Sequence, residues 1–489
     1  MRWRTLLAAV VLTLLPLPLQ FARADVKPHA LFTDGMVLQR QKDPTTGVPV
    51  WGTADPGEKV LVALVAGASE TGGMAKTDEN GKWSVSLPLP KAGGPYTMTI
   101  SGKNQLTIKD VYVGEVWIAS GQSNMEWPLK ASADAEKHIK NSANPKIRLF
   151  RVPHKVAAEP QSEVDAKWTE CGPETVKESS AVAYFFGRDL QEMLEVPIGL
   201  IETNWGGTIA EAWTPKTALE ANADLKKLIP ADIKIDDKKP NPNQGTVLYN
   251  GMIAPLLPYA IKGAIWYQGE SNANRAAEYE TLFPTLIQSW RTAWNQGDFA
   301  FLFVQLAPYD PKAEPPKEPT DTAWARLREA QRLTLKLPKT GMAVITDVGD
   351  KDDIHPKHKE PVGARLALAA RAIAYGEKVE YFGPTLEGMK VEDNKAILTF
   401  KHANGGLVAK NGELTGFTIA GEDKKFYNAE ATIQGDKVIV TCAKVAKPVA
   451  VRFGWANFPT GNLWNKDELP ASPFRTDDWP MEPKPPTKK

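Results

Sequence analysis

Cysteine is scarce in this sequence of 489 residues, which contains only Cys171 and Cys442. Two cysteines that lie so far apart form no disulfide framework, and they do not have the spacing of a metal site. Export would permit a disulfide between them, but we expect two buried thiols.

An excess of charge of one sign is also missing, because 59 basic residues face 58 acidic ones and the formal net charge is +1. Such a balance does not favour nucleic acid or an anionic membrane surface as a partner. Beyond residue 24 the sequence has no apolar segment long enough to span a bilayer. We therefore predict no nucleic-acid partner and no stable membrane insertion, while the oligomeric state is left unknown.

The first 24 residues have the pattern of an export signal. The positively charged "MRWR" is followed by the apolar "LLAAVVLTLLPLPLQFA", and a small-x-small cleavage site ends at Ala24. A membrane anchor is the alternative, but two prolines and the short apolar length argue against it. The sequence predicts a signal peptide over residues 1–24, cleavage near Ala24, and a mature protein that is secreted or periplasmic.

The remaining chain divides into regions of different character. Residues 25–108 contain short apolar or alternating stretches separated by turns such as "DENG" and "KAGGP", which predicts a small β-sandwich-like domain. Residues 109–376 alternate apolar runs with helical patterns, which predicts a parallel sheet in a three-layer α/β/α domain. Short β-type runs return over residues 377–480 and predict a second β domain, and the Pro-rich residues 481–489 predict a disordered tail.

Ligands of parallel sheets bind at the carboxyl ends of the strands, and four polar motifs follow predicted strands there. The first is "SGQSNM", in which Ser123 lies between the end of a predicted strand and the start of a predicted helix. The free N–H groups of a helix N-terminus stabilise negative charge, which suits a nucleophile. A plain helix cap is the alternative for this serine alone, and Met125 stands where a G-x-S-x-G elbow would have glycine.

The second and third motifs supply hydrogen-bond donors. In "NWGGTIAEAW" the adjacent Gly206 and Gly207 allow the backbone to approach a ligand, and their N–H groups suit a developing oxyanion. In "QGESNAN" the side-chain amides of Gln268 and Asn272 can donate to the same oxyanion. The structural alternatives are a tight turn for the glycines and an Asx-type loop for the amides.

The fourth motif, "DVGDKDDIHPKHKEPVG", carries His355 just before a predicted helix. Asp352 lies three residues upstream and Asp353 two. A carboxylate at that reach can hold one imidazole nitrogen while the other nitrogen faces a nucleophile. A metal site is the rival interpretation, but two histidines and some carboxylates without a third firm ligand fit it poorly.

Together the four motifs contain a hydroxyl, backbone donors, amide donors and a carboxylate-backed imidazole, which are the groups that acyl transfer requires. Because the carboxyl ends of parallel strands converge on one edge, we expect these groups to meet there. The serine comes early in the chain, and the acid and histidine follow together. That order differs from those of chymotrypsin, subtilisin and the α/β-hydrolases.

These stretches resemble the SGNH hydrolases, and more closely the sialate O-acetylesterase family of carbohydrate esterases. The resemblance is carried by "GEVWIASGQSNMEWPL", "NWGGTIAEAWTP", "LYNGMIAPLLPYAIKGAIWYQGESNA" and "DDIHPKHK" with the following "PVGARLALAARA". It extends to "DGMVLQR" and "VPVWGTADPGEKV" near the N-terminus and to "GFTIAGEDKKFYNAEA" and "GNLWNKDELPASPFRTD" near the C-terminus. Nearly the whole mature chain is therefore covered.

The resemblance implies that Ser123 is the nucleophile and His355 the general base. It leaves Asp352, Asp353 or a weaker partner such as a backbone carbonyl as candidates for the acid, and the superfamily spacing of three residues before the histidine favours Asp352. It also implies an oxyanion hole made of the serine N–H, a glycine N–H from "WGGT" and a side-chain amide from "QGESN".

The implied activity is removal of O-acetyl groups from carbohydrates, above all from O-acetylated sialic acids, by an exported serine esterase without cofactor or metal. Acetylxylan or another acetylated polysaccharide is the alternative substrate, and a non-catalytic carbohydrate-binding protein is the alternative of another class. For recognition of the sugar we expect Trp205, whose ring suits sugar C–H groups, and Arg275, which suits a sugar carboxylate.

Overall fold

The computed structural model describes residues 25–43, 46–311, 319, 321–403 and 405–480. The predicted signal peptide and the predicted disordered tail lie outside these residues. In the part of the chain that is described, no helix is both long enough and apolar enough to cross a membrane. Cys171 is buried and Cys442 half-buried, and both thiols are free, so that the expectation of two buried thiols holds only for Cys171.

The described chain contains both strands and helices throughout its middle region. The strands are β1 Lys27–Pro28, β2 Val37–Gln39, β3 Val48–Thr53, β4 Lys59–Ala66, β5 Ser69–Lys76, β6 Lys82–Leu87, β7 Gly93–Ser101, β8 Gln105–Gly121, β9 Asn144–Arg151, β10 Trp168–Cys171, β11 Ile198–Asn204, β12 Gly263–Tyr267, β13 Ala300–Val304, β14 Thr340–Ala343, β15 Thr385–Glu392, β16 Lys395–Lys401, β17 Leu407–Ala409, β18 Phe417–Ala420, β19 Phe426–Asn428, β20 Glu430–Gln434, β21 Lys437–Thr441, β22 Ala450–Phe453, β23 Leu463–Asn465 and β24 Phe474–Arg475. The α-helices are α1 Ser123–Glu126, α2 Ala135–Lys140, α3 Pro173–Val176, α4 Ala181–Leu194, α5 Lys216–Glu220, α6 Ala276–Trp294, α7 Ala323–Thr334 and α8 Glu360–Ile373. Short 3₁₀ or π turns lie at Leu129–Ala131, Ala210–Trp213, Lys226–Leu228, Tyr249–Ile253, Ala254–Leu256 and Glu270–Arg275.

The middle region is built on a sheet with the strand order β10-β9-β11-β8-β12-β13-β14. All neighbouring pairs in it are parallel except β10 with β9. Strand β8 lies at the centre, and its last residue, Gly121, pairs with Asn204 of β11 and with Tyr267 of β12. Three strands therefore end at the same level, and the loops that follow them begin side by side.

Helices cover both faces of this sheet, as the three-layer prediction requires. Side chains of a strand alternate between faces, and in β8 Trp117 and Ala119 pack into one core while Val116 and Ile118 pack into the other. Helices α4 and α8 share the first core, and α6 and α7 share the second. The prediction of an α/β domain with a parallel sheet over the middle of the chain is confirmed.

The N-terminal strands join the middle region without a linker. The 17-residue β8 pairs with β7 along its first part and with β11 and β12 along its second, so that one sheet crosses the boundary predicted after residue 108. Strands β1, β3 and β6 form a separate three-stranded sheet. The C-terminal strands form two four-stranded sheets and one two-stranded sheet around a core of their own.

Candidate active site

The first motif forms a sharp exit from the central strand. Gly121 has φ 140°, and a Cβ atom there would lie 2.1 Å from the carbonyl oxygen of Tyr267. No side chain fits in that space, so glycine is required where β8 ends. The N–H of Gln122 donates to the same carbonyl at 2.9 Å, and helix α1 then begins at Ser123. The nucleophile candidate is therefore held, partly exposed, at the carboxyl edge of the sheet.

The fourth motif brings His355 back to this edge. Its Nε2 lies 2.9 Å from the Oγ of Ser123, and its ring stacks on Trp127 with centroids 5.0 Å apart and planes at 18°. Burial lowers the pKa of His355, the positive charge of Lys359 lowers it further, and Asp353 opposes both effects. The imidazole is therefore biased toward its neutral form, which is the form that accepts a proton.

Of the two acid candidates, the structure brings Asp353 to the histidine. Its Oδ1 lies 3.7 Å from Nδ1 of His355 and accepts the backbone N–H of His355 at 2.8 Å. Asp352 is exposed, its N–H donates to Asp350 Oδ1 at 2.9 Å, and in the described part of the chain its carboxylate makes no contact with His355. The preference for Asp352, which rested on spacing, therefore has no support in the geometry.

The second motif lies against Ser123. A Cβ atom on Gly206 would lie 3.3 Å from the Cβ of Ser123, so the backbone of Gly206 is in the immediate surroundings of the serine. The N–H of Gly206 donates to Glu126 Oε2 at 2.6 Å. Gly207 is exposed with φ 73°, and a Cβ atom on it would meet nothing within 4 Å. Both glycines thus lie at the site, but Gly206 already has an acceptor.

The third motif distinguishes the two amides. Gln268 is fully buried, and its Nε2 donates to Thr208 O at 3.1 Å and to Asn272 Oδ1 at 2.6 Å. A side-chain amide has two hydrogens, so the NH₂ group of Gln268 has none left for a ligand. Asn272 is also buried and donates to Glu211 Oε2 at 3.0 Å, which leaves it one hydrogen.

An aromatic and charged rim borders the glycine loop. Trp205 is partly exposed, and the ring of His154 stacks on it with centroids 4.2 Å apart and planes at 4°. His154 Nε2 lies 3.1 Å from Glu126 Oε1. Burial acts to raise the pKa of Glu126, but hydrogen bonding and charge from His154, with the Gly206 N–H, hold it below its usual range. A carboxylate therefore persists beside the glycine loop and Ser123.

The structure does not leave Arg275 free for a ligand carboxylate. Its Nη2 lies 2.6 Å from Glu211 Oε1, and its Nη1 pairs with Glu278. Glu211 also accepts a hydrogen bond from Asn272 of the third motif, so Arg275 contacts that motif through Glu211. A two-pronged contact with a sugar acid is not available to a guanidinium whose two ends already bind carboxylates.

Several residues of the site escaped the sequence analysis, namely Gln122, Asn124, Glu126, His154 and Lys359. The first three lie within or beside the nucleophile motif and were treated as its context. His154 lies three residues after the end of β9. The other motifs also follow strand ends, so the same criterion would have identified His154 as a candidate. The burial of Lys359 has no comparable signal, because lysines before a helix are usually exposed.

Comparison with known proteins gives the family to which the chain is similar. A family model described as carbohydrate esterase, sialic acid-specific acetylesterase matches residues 113–372. The sialate O-acetylesterase of Homo sapiens is 34% identical over 490 residues, which cover 90% of each chain, and that of Mus musculus is 30% identical over 503 residues. A solved carbohydrate acetylesterase from Xanthomonas citri is 40% identical, with a TM-score of 0.84, and the match covers 93% of this chain and 100% of that one.

The fold and these matches define a carbohydrate esterase with an α/β domain of the SGNH type. The chain belongs to the sialic acid-specific acetylesterase family of carbohydrate esterases. An ester hydrolase is therefore the class of this protein, and the alternative of a non-catalytic binding protein is not retained.

Proposed function

We propose that the chain is an exported serine esterase that removes O-acetyl groups from sialic acids through an acetyl-enzyme on Ser123. The observation that carries this proposal is the 2.9 Å separation of Ser123 Oγ and His355 Nε2 at the carboxyl edge of the sheet. That distance allows the imidazole to take the hydroxyl proton as the oxygen attacks.

In the first half of the reaction Ser123 Oγ attacks the acetyl carbonyl carbon while its proton passes to His355 Nε2. The tetrahedral intermediate then expels the sugar oxygen, which takes the proton from His355 and leaves as a sugar hydroxyl. In the second half a water molecule gives its proton to His355 and attacks the acetyl-enzyme. Acetic acid leaves and releases its proton to solvent as acetate forms, and the proton on His355 returns to the oxygen of Ser123.

Asp353 is the acid of the proposed mechanism. An imidazole whose Nε2 accepts from Ser123 carries its hydrogen on Nδ1, the nitrogen that faces Asp353. At 3.7 Å the carboxylate acts mainly as a charge that stabilises the imidazolium, and less as a hydrogen-bond partner that fixes the ring. The stacked Trp127 supports the orientation of the ring.

The proposed oxyanion hole combines the N–H of Ser123, an N–H of the Gly206–Gly207 turn and the remaining amide hydrogen of Asn272. The first N–H groups of a helix are not used within the helix, so that of Ser123 is available. Gly206 can contribute its N–H only when the carboxylate of Glu126 yields it, whereas Gly207 needs no such exchange.

The sugar is proposed from the relatives, whose names state sialate O-acetylesterase. Among the charged groups near the rim, Arg151 is the better candidate for the sugar carboxylate. It ends β9, its side chain is 55% exposed, and its nearest acid, Glu202, lies 3.9 Å away. An acetylated neutral polysaccharide is the second candidate, because the flat ring of Trp205 with His154 suits sugars of either charge.

Export remains part of the proposal and rests on residues 1–24, whose charged, apolar and small-residue segments follow the order of a signal peptide. N-terminal sequencing of the protein recovered outside the cytoplasm tests it, and a start close to residue 25 is expected. A chain that keeps residues 1–24 would contradict it.

Acetate release from a panel of O-acetylated sialic acids and acetylated xylan fragments tests the activity and the substrate together. We expect the sialic acids to give the highest kcat/KM with the wild-type chain, and no measurable release with Ser123→Ala. Preference for the xylan fragments would replace the proposed sugar, and release that survives in Ser123→Ala would refute the proposed nucleophile.

A further inference from the structure

A buried polar cluster lies behind the Ser123–His355 pair. It consists of Asn124, which is 0% exposed, Lys359, which is 1% exposed, and the enclosed carboxylate of Glu270. Burying a lysine without a surface outlet is costly unless its ammonium is held by polar or aromatic groups. The catalytic steps described above do not use any of these three side chains, so their burial requires another explanation.

A hydrogen bond of Asn124 connects the segment that carries Ser123 to the segment that carries His355. Asn124 follows Ser123 directly, and its Nδ2 donates to the carbonyl oxygen of Ile354, which directly precedes His355, at 3.0 Å. The other hydrogen of the amide goes to Glu270 Oε1 at 2.6 Å. The orientation of this amide therefore affects the separation of the serine and the histidine.

Lys359 binds the oxygen end of that amide. Its Nζ donates to Asn124 Oδ1 at 2.5 Å, so that the oxygen end of the amide faces a cation and the nitrogen end faces a carboxylate and a carbonyl. The same Nζ lies 5.8 Å from the ring centroid of Trp127 and 5.4 Å from that of Tyr267. Trp127 stacks on His355. The ammonium therefore contacts both Asn124, the residue next to Ser123, and Trp127, the ring against His355.

We propose that Lys359 is a positioning residue of the esterase reaction, which acts on Ser123 through Asn124 and on His355 through Trp127. The proposal rests on the roles that the proposed function gives to Ser123 and His355. It adds a residue that touches neither the substrate nor the reacting atoms.

The charge of Lys359 gives this role a signature that simple packing would lack. Burial lowers the pKa of Lys359 to about 7, against opposing effects of Glu270 and Asp353, so its ammonium is present throughout the acid range. A cation there disfavours a second positive charge on His355. The charged and titratable groups that face this pair are Asp353 from the histidine loop, Tyr267 from the end of β12, and Glu270 from the turn that follows β12.

The experiment compares Lys359→Met with Lys359→Arg and with a matched control, Lys357→Met, by pH profiles of kcat/KM for p-nitrophenyl acetate. Lys357 belongs to the same loop, but its side chain is exposed. We expect Lys359→Met to lose about tenfold to a hundredfold in kcat through misplacement of the reacting pair. The acid limb of the profile is the fall of kcat/KM toward low pH. We expect its midpoint to move upward by about half a pH unit to one unit, because His355 loses a neighbouring cation.

Lys359→Arg keeps the cation and should keep the acid limb at its wild-type pH, even where its rate falls, and Lys357→Met should match the wild type throughout. A folded Lys359→Met that keeps either the wild-type kcat or the wild-type acid limb would overturn the proposal. If Lys359→Met does not fold, Asn124→Ala decides. It should lose kcat with the acid limb unmoved, and full kcat in that variant would overturn the proposal.

Failure of the proposed function looks different in the same experiment. If Ser123→Ala retains the wild-type rate on p-nitrophenyl acetate, the assignment of the nucleophile is at fault. If Ser123→Ala is inactive and the Lys359 variants behave like the wild type, the proposed function stands and only the positioning role falls.

Discussion

The two sides of the Ser123–His355 pair are built differently. Behind the pair, Asn124 and Lys359 are buried and bound to each other, with the amide of Asn124 matched to a partner at each end. In front of it, the side chains of Arg151, His154 and Glu126 are 55%, 40% and 34% exposed.

This difference separates two tasks. We infer that the positions of Ser123 and His355 are fixed by buried polar groups, which are costly to leave unpaired and therefore hold one arrangement. The surface that a sugar would meet consists of exposed or partly exposed groups. Changes behind the pair should therefore alter kcat for every ester, and changes in front should alter KM for particular sugars.

Removal of the nucleophile gives the largest expected effect. Ser123→Ala should fold normally, because the side chain is partly exposed and small. Its kcat should fall on the order of a millionfold, since only binding and the oxyanion hole remain. Acetate release and the thermal midpoint Tm check this in parallel. Activity within about tenfold of the wild type would exclude Ser123 as the nucleophile.

The acid of the mechanism can be assigned by a pair of matched variants. Asp353→Asn should lower kcat by roughly a hundredfold, less than the loss of about 10⁴ known for a closely bonded triad acid, because its oxygen lies 3.7 Å from Nδ1 of His355. Asp352→Asn is the control in the same loop and should remain near the wild type. A larger loss at Asp352 would restore the assignment based on spacing.

The two arginines sharpen the contrast between the front and the back of the site. Arg151→Ala should raise KM for O-acetylated sialic acid by about tenfold, through loss of a charge-assisted contact, and should leave p-nitrophenyl acetate unaffected. Arg275→Ala should lower kcat/KM for both substrates, because Arg275 holds Glu211 and, through it, Asn272. The opposite pattern, a selective effect at Arg275, would show that its ion pairs open for the sugar.

The smallest expected effect is a displacement of the pH profile. The general base must be neutral, and burial lowers the pKa of His355, so activity should persist until the pH falls through that lowered pKa. The acid limb of kcat/KM for p-nitrophenyl acetate should therefore lie below about 6.5, the ordinary value for histidine. An acid limb at or above that value would mean that burial and Lys359 do not lower the pKa of His355.

The sequence predicted those features of the site that depend on strand ends. Ser123 and His355 follow apolar runs in a parallel sheet, and such sheets bring their strand ends to one edge. The distances between side chains of different loops were not predictable in this way. Which aspartate approaches His355 depends on a local turn in which the side chain of Asp350 accepts the N–H groups of Asp352 and Asp353.

The ion pairs of Arg275 were not predictable for a related reason. Its position beside the amide motif is visible in the sequence, but its partner Glu211 belongs to a different loop. Whether an arginine near a site binds a ligand or an internal acid depends on that long-range pairing. The same limit applies to Lys359, whose burial follows from its contact with Asn124, far away in the chain.

The most direct test of the central claim is to find which serine is activated. The wild-type chain is inactivated with a fluorophosphonate, which reacts with a serine that has an adjacent base, and the labelled peptides are mapped by mass spectrometry. The account predicts a single label on Ser123, with loss of esterase activity in proportion to labelling and no labelling in Ser123→Ala. Labelling of another serine, or full activity with Ser123 labelled, would contradict it.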